Sequence, residues 1–172
     1  MDPSLELVDL VDLEDRVLGQ VTRGRVRGEN LLHRGVSVLV WNGRGELFVH
    51  RRTDTKDVFP GLHDLFVAGV VGAGETYAEA ARREAQEELS IVGPRPEELF
   101  RYLYQGPACR AWTGVFQLTW DGPVVPQASE VAWGAFLPLD VVQERLLSWP
   151  FVPDGLEVFR EWERRGLRPP GS

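Results

Sequence analysis

Glu84, Glu87 and Glu88 are the residues whose spacing most suggests chemistry. Separations of three and four put them on one side of a helix at about 3.6 residues per turn. Like charges so placed destabilise a helix by a few tenths of a kcal/mol per pair, about 0.2–0.5. A helix built only for packing would more often carry Lys or Arg there. A divalent cation among the carboxylates would offset the repulsion. An all-oxygen ligand set suits Mg²⁺, with Mn²⁺ as an alternative, and such ions bind substrate phosphates through their open positions. The competing reading is a solvated acidic face.

The elements that would position this cluster lie in one stretch, 69–91. It opens as a Gly-rich loop at Gly69 and continues as a helix from about Tyr77 to Leu89. Thr76 is placed as an N-cap, and Glu79 three residues on completes a capping box. Ala78, Ala81, Ala85 and Leu89 make a narrow apolar stripe, with the glutamates expected on the opposite side. Small alanines would let the helix pack close to a sheet.

Basic residues stand just upstream. Arg51 and Arg52 end a predicted strand, and Lys56 follows in a loop with the turn Pro60-Gly61. Surface ion pairs are one explanation. A phosphate clamp is the favoured one, because the guanidinium fork matches phosphate oxygens. Arg23, Arg25 and Arg27 lie in the Gly-punctuated stretch 23–30, where contact with phosphate is the lesser alternative and a solvated connector the expectation.

The rest of the chain supplies a scaffold. Leu5 to Val11 alternates apolar and polar residues and predicts a strand, with Arg16 to Thr22 pairing back across the acidic turn 12–15. Met1 to Ser4 should be loose. Val36 to Trp41 reads as a buried strand, Asn42 to Gly45 as its turn and Glu46 to Arg51 as the return. Strands follow at 65–71, 99–104, 110–120 and 130–136, then helices at 138–147 and 156–165, the last capped by Asp154 or Gly155. This pattern predicts an α/β fold, one domain over 1–172, with a mixed sheet between helices and an N-terminal hairpin over 1–30. The length suffices for one substantial core.

Composition excludes some partners. A net charge of −7 argues against generic nucleic-acid or anionic-membrane binding. One cysteine, Cys109, rules out an intrachain disulfide and, with no long apolar run, suggests a cytoplasmic setting. Cys109 is expected as a small core residue. Phe59, Tyr104, Trp112 and Trp133 are candidates to stack on a base.

The stretch Gly69, Glu75, Arg83-Glu84-Ala85, Glu87-Glu88, Ile91 resembles the Nudix box, G-x5-E-x7-R-E-U-x-E-E-x-G-U, with U apolar. Every fixed polar position matches. Ser90 stands where the family has Gly, at a left-handed turn that disfavours other residues. The likeness extends over most of the chain and is greatest to the branch that includes isopentenyl-diphosphate isomerases and related bacterial hydrolases.

The resemblance implies an α/β/α sandwich around a mixed sheet, and metal-dependent attack of water on a diphosphate. It implies metal on Glu84, Glu87 and Glu88 with the Gly69 carbonyl, a structural pair of Glu75 and Arg83, and a further ligand or base at Glu130. Arg51, Arg52 and Lys56 would hold phosphates. Glu87, Glu84 and Glu130 are the catalytic candidates, and the substrate is expected to be a small diphosphate, a nucleoside di- or triphosphate first. Non-nucleotide diphosphates, or a binding module with little activity, are the alternatives. Isomerases of this branch need a Cys and a His where this chain has Ala68 and Val70, so isomerase activity is rejected.

Overall fold

The computed structural model describes all 172 residues. Its sheet is built on the β-branched run of β3 (His33–Trp41), buried along most of its length. β3 pairs in parallel with β8 (Arg110–Thr119), from His33 opposite Ala111 to Trp41 opposite Thr119. On its other side it runs antiparallel to β6 (Val67–Val70). β7 (Glu97–Gln105) extends the sheet beyond β8, and β4 (Leu47–Arg52) pairs with β9 (Val131–Leu137). The sheet is therefore mixed, as expected.

Successive strand residues point to opposite faces, and β3 shows how two layers of core follow. Val36, Val38 and Val40 pack with Tyr77, Ala80, Ala81, Ala85 and Leu89 of α2 (Tyr77–Leu89). Leu39 and Trp41 face the other way, toward Val142 of α3 (Leu139–Ser148) and Val158, Phe159 and Trp162 of α4 (Pro153–Arg164). Helices thus cover both faces and the architecture is an α/β/α sandwich.

The N-terminal hairpin of β1 (Leu7–Val11) and β2 (Val17–Thr22) forms as predicted. Asp15, with a left-handed φ of 61°, ties its tip down. Its carboxylate accepts from Arg34 Nε at 2.7 Å and Tyr77 Oη at 2.9 Å. The first residues are not loose: Pro3–Leu5 make a 3₁₀ turn capped by Asp2.

Four expectations need correction. The stretch 23–30 is not a connector but helix α1 (Arg23–Glu29). Thr22 caps its start and Asn30 takes the left-handed conformation at its end, while Val26 buries against Val8 and Val70. Two glycines hid this helix, which tertiary packing and its caps hold.

The expected strand at 65–71 is β5 (His63–Asp64) and β6, separated by a bend. Asp64 Oδ1 accepts from Phe66 N at 3.1 Å, a local bond that competes with the ladder and turns Leu65 and Phe66 into the core. The last helix starts earlier than expected, with Pro153 in its first turn, where a missing N–H costs nothing, and with Val152 rather than Asp154 or Gly155 at the cap.

The apolar stripe of α2 is also rotated from the expected one. Ala78 is exposed, Tyr77 and Ala80 join the core, and Glu84 and Glu88 lie buried beside the stripe rather than opposite it. Ser90 nonetheless accepts the left-handed turn, φ 59°, and its Oγ donates to Val125 O at 3.1 Å.

Candidate active site

The capping box at Thr76 and Glu79 sets the start of α2, and thereby the angle at which every later residue leaves the helix. Glu84 and Glu88 turn inward; Glu87, one residue before Glu88, stays exposed. Gly69 on β6 lies so close that an added Cβ would overlap the Glu84 carboxylate. A residue with any side chain would displace Glu84, which explains the glycine at this position.

Arg83 organises the acidic wall. Its Nε and Nη2 reach the two oxygens of Glu75 at 2.8 and 2.9 Å, and Nη2 also donates to Val70 O at 2.9 Å. Its Nη1 donates to Glu84 Oε1 at 2.6 Å and more distantly to Glu87 Oε2 at 3.3 Å. Burial works to raise the Glu75 pKa, but these bonds and the Gly72 N–H outweigh it and leave the carboxyl below its usual range. Burial raises Glu84 to about 7 against the pull of Arg83.

Glu88 differs. It is 5% exposed, and burial, then the charge of Glu84, push its pKa well above the ordinary value. No hydrogen bond or ion pair compensates its carboxylate. No three acidic, histidine or cysteine side chains converge as a preformed metal cage. Arg83 occupies Glu84, while the Glu88 carboxylate opens on the cleft without a hydrogen-bond partner.

A cleft of about 400 Å³ opens over this wall. Gly69, Glu84, Glu87 and Glu88 line it with Arg83, and Lys56, Arg23, Gln127 and Glu130 face them. Lys56 Nζ forms an ion pair with Glu130 on that facing side. The structure therefore brings together all four expected metal residues, Glu130 and Lys56.

The two strand-end arginines separate, because neighbours on a strand point to opposite faces. Arg52 lines a narrower slot that continues from the cleft past Ala68, Gly69 and Val70. Its guanidinium donates to Val58 O at 3.0 Å and lies 3.7 Å from Asp64. Arg51 lines neither cavity. It holds the 53–61 loop by donating to Gly61 O at 3.0 Å and Asp54 Oδ1 at 2.8 Å.

Sequence reasoning ranked the basic wall contributed by α1 below a solvated connector. Arg23 lines both cleft and slot, and Arg27 lines the slot. Their i,i+4 spacing between Thr22 and Asn30, two capping residue types, was the available signal. Cys109 is a second correction. It is half-buried in the slot wall, on the same cavity as Ala68, and burial pushes its thiol up to about 11. Among the aromatic candidates, Phe59 lines the slot, Tyr104 is buried, and Trp133 stacks its edge on Trp149 on the Arg51 side of β4 and β9. Trp112 is half-buried with an unpartnered indole nitrogen.

Comparisons with known proteins identify the family and support the fold. The NUDIX domain model matches residues 31–160. A Nudix hydrolase of Streptomyces coelicolor is 50% identical over 177 residues, spanning 100% of this chain and 97% of the relative. The Nudix hydrolase YfcD of Escherichia coli is 36% identical over 165 residues, covering 96% and 91%. The crystal structure of DR0079 from Deinococcus radiodurans superposes with a TM-score of 0.76 at 29% identity, covering 91% of this chain and 98% of that one. No helix is long and apolar enough to cross a membrane. With the box on α2, its arginine and its glutamates gathered over one cleft, the chain belongs to the Nudix family and is a hydrolase of phosphoanhydride bonds.

Proposed function

We propose that the enzyme hydrolyses nucleoside 5′-diphosphates or triphosphates, or closely related diphosphates, with Mg²⁺ as its ion and Mn²⁺ as a substitute, and releases a nucleoside monophosphate. The single observation that carries this reading is the cleft in which Gly69, Glu84, Glu87 and Glu88 face Lys56 and Glu130.

The donor set fits a hard divalent ion. Glu88 presents a carboxylate with no hydrogen-bond partner to the cleft, and the missing Cβ at Gly69 leaves room for the Glu84 carboxylate against the strand. Glu84, Glu87, Glu88 and the Gly69 carbonyl would hold the ion, which when bound supplies charge neutralisation and an acidified water. Arg83 keeps Glu75 and Glu84 in position from the opposite side. Lys56 and Arg52 bind phosphate oxygens and oppose charge that develops on the leaving phosphoryl group. Glu87, the most open of the three box carboxylates, and Glu130, once released from Lys56, are the groups placed to accept a proton from water.

For a diphosphate the balance is simple. Water adds to one phosphorus, the bridging P–O bond breaks, and monophosphate and phosphate leave with the proton on the receiving carboxylate. Arg51 has no part in this reading beyond holding its loop. The single cysteine suits a reducing compartment, and we place the enzyme in the cytoplasm.

A panel of nucleoside di- and triphosphates, assayed with and without Mg²⁺, tests the proposal. Monophosphate formation that disappears with a chelator is expected. Absence of turnover across the panel with metal present would defeat it.

A further inference from the structure

The slot behind the cleft differs from it in size and charge. Its volume is about 80 Å³, against about 400 Å³ for the cleft. At the roughly 30 Å³ that each water takes in the liquid, the slot holds on the order of three water-sized groups. The three terminal oxygens of a phosphoryl group match that space. A phosphoryl group carrying a sugar does not.

The slot is lined by four cations, Arg23, Arg27, Arg52 and Lys56. Arg23 and Arg27 are i,i+4 neighbours and project together from α1. Neither is fully satisfied. The Nε atoms of both are buried without a hydrogen bond. Arg23 reaches Glu6 only through Nη1, at 3.4 Å, and Arg27 Nε lies 3.5 Å from Asp57 Oδ2. Two carboxylates, Asp64 and Asp154, share the lining. Asp64 is engaged by Phe66 N–H and by Arg52, and burial pushes it up to about 7. Asp154 is likewise raised by burial, and its Oδ1 has no partner. Cations outnumber carboxylates, and the carboxylates are those that burial drives toward the neutral, hydrogen-bond-donating form. A small, multiply charged anion with several acceptor oxygens answers both features.

The slot meets the cleft at Gly69 and Arg23, which line both. An anion in the slot is thereby continuous with a diphosphate bridge beside the glutamates, and the wider cleft remains for the organic substituent. We propose that Arg23 and Arg27 seat the unsubstituted terminal phosphoryl group of the substrate, so that the enzyme selects diphosphates bearing one organic substituent over those bearing two. This rests on the cleft being the hydrolytic site.

The test compares ADP with ADP-ribose, and UDP with UDP-glucose, on the full chain in Mg²⁺. The expected kcat/KM is at least tenfold higher for the singly substituted member of each pair. R23A and R27A should each reduce that preference at least tenfold. G35A provides a variant that does not touch the arginines. A Cβ there would enter the slot wall in ordinary contact, 3.4 Å from Gly69 O and 3.9 Å from Ala111 Cβ. Gly69 O is also an expected ion ligand, so the readout is the ratio of the two kcat/KM values within each pair, which a disturbed ion lowers together; that ratio should fall in the same direction.

Equal or inverted preference in the native enzyme, or a preference that all three variants leave unchanged, overturns the proposal. Binding of α,β-methylene-ADP, which cannot be cleaved at its bridge, separates the slot from the hydrolytic reading. Tenfold weaker binding by R27A with no turnover of any substrate would remove the hydrolase and keep the slot. Unchanged binding by R27A removes the slot.

Discussion

α2 and α1 wall one continuous cavity from two sides, and they are built by different rules. α2 has 13 residues, a complete capping box and an alanine-rich inner face. Its acidic side chains are placed by local spacing. α1 has 7 residues, two of them glycine, and a weaker cap in which Thr22 Oγ1 accepts from Arg25 N at 3.4 Å. Its arginines matter because Val26, Val8 and Val70 fix the helix over the slot. The contrast teaches that the acidic wall is assembled within one element, whereas the cations opposite it are recruited across several.

The sharpest way to break this comparison is at the acidic wall. E87Q is expected to lower kcat by about 10²–10⁴-fold, the usual range for a lost acid–base group. Its side chain is 54% exposed, so the melting temperature should hardly move. Phosphate release and thermal melting on the same preparation check both halves. A variant that kept full activity would assign the chemistry elsewhere.

The burial of His33 in the slot wall beneath α1 should reveal itself through pH. Burial, reinforced by the charges of Arg27 and Arg23, lowers His33 from 6.5 to about 4. With the folded pKa below the unfolded one, the stabilisation is present above about pH 6.5 and is lost as pH falls through about 4. At full development it is roughly 3 kcal/mol, at about 1.4 kcal/mol per pH unit. Denaturant unfolding between pH 7 and pH 4 should show this loss, and H33N should flatten the slope. An unaltered slope in H33N would detach His33 from the acid response.

A smaller effect is expected at the contact between strand and box helix. G69A puts a methyl where the Glu84 carboxylate lies, so activity should fall by about 10–100-fold, the scale of disturbed metal-ligand support. The fall should show as a higher Mg²⁺ requirement in a metal titration. The smallest effect belongs to the caps. T76A should cost about 1 kcal/mol by chemical denaturation, and T22A less, because its hydrogen bond is longer. A larger loss in T22A would show that α1 depends on its cap more than on Val26.

Much of the site was legible because it is local. Glu75, Arg83, Glu84, Glu87 and Glu88 recur at helical spacing, so a capping box and an alanine stripe are enough to bring them together. The continuous apolar run of Val36 to Trp41 also anticipated a buried strand, and β3 does bury Val38 on one side and Leu39 on the other. Exact facing was less legible: the expected stripe included Ala78, which is exposed, because burial on α2 depends on where β3 and β6 meet it.

What the sequence alone determined is the capped, glutamate-bearing helix α2 and the type of fold around it, because periodicity and capping act over a few residues. Only the tertiary structure decided that Arg52 enters the slot while Arg51 leaves it, that α1 exists as a helix, and that Cys109 shares a cavity with Ala68. Those placements follow from strand register and long-range packing, whose free energy is spread over residues far apart in the chain and leaves no local pattern to read.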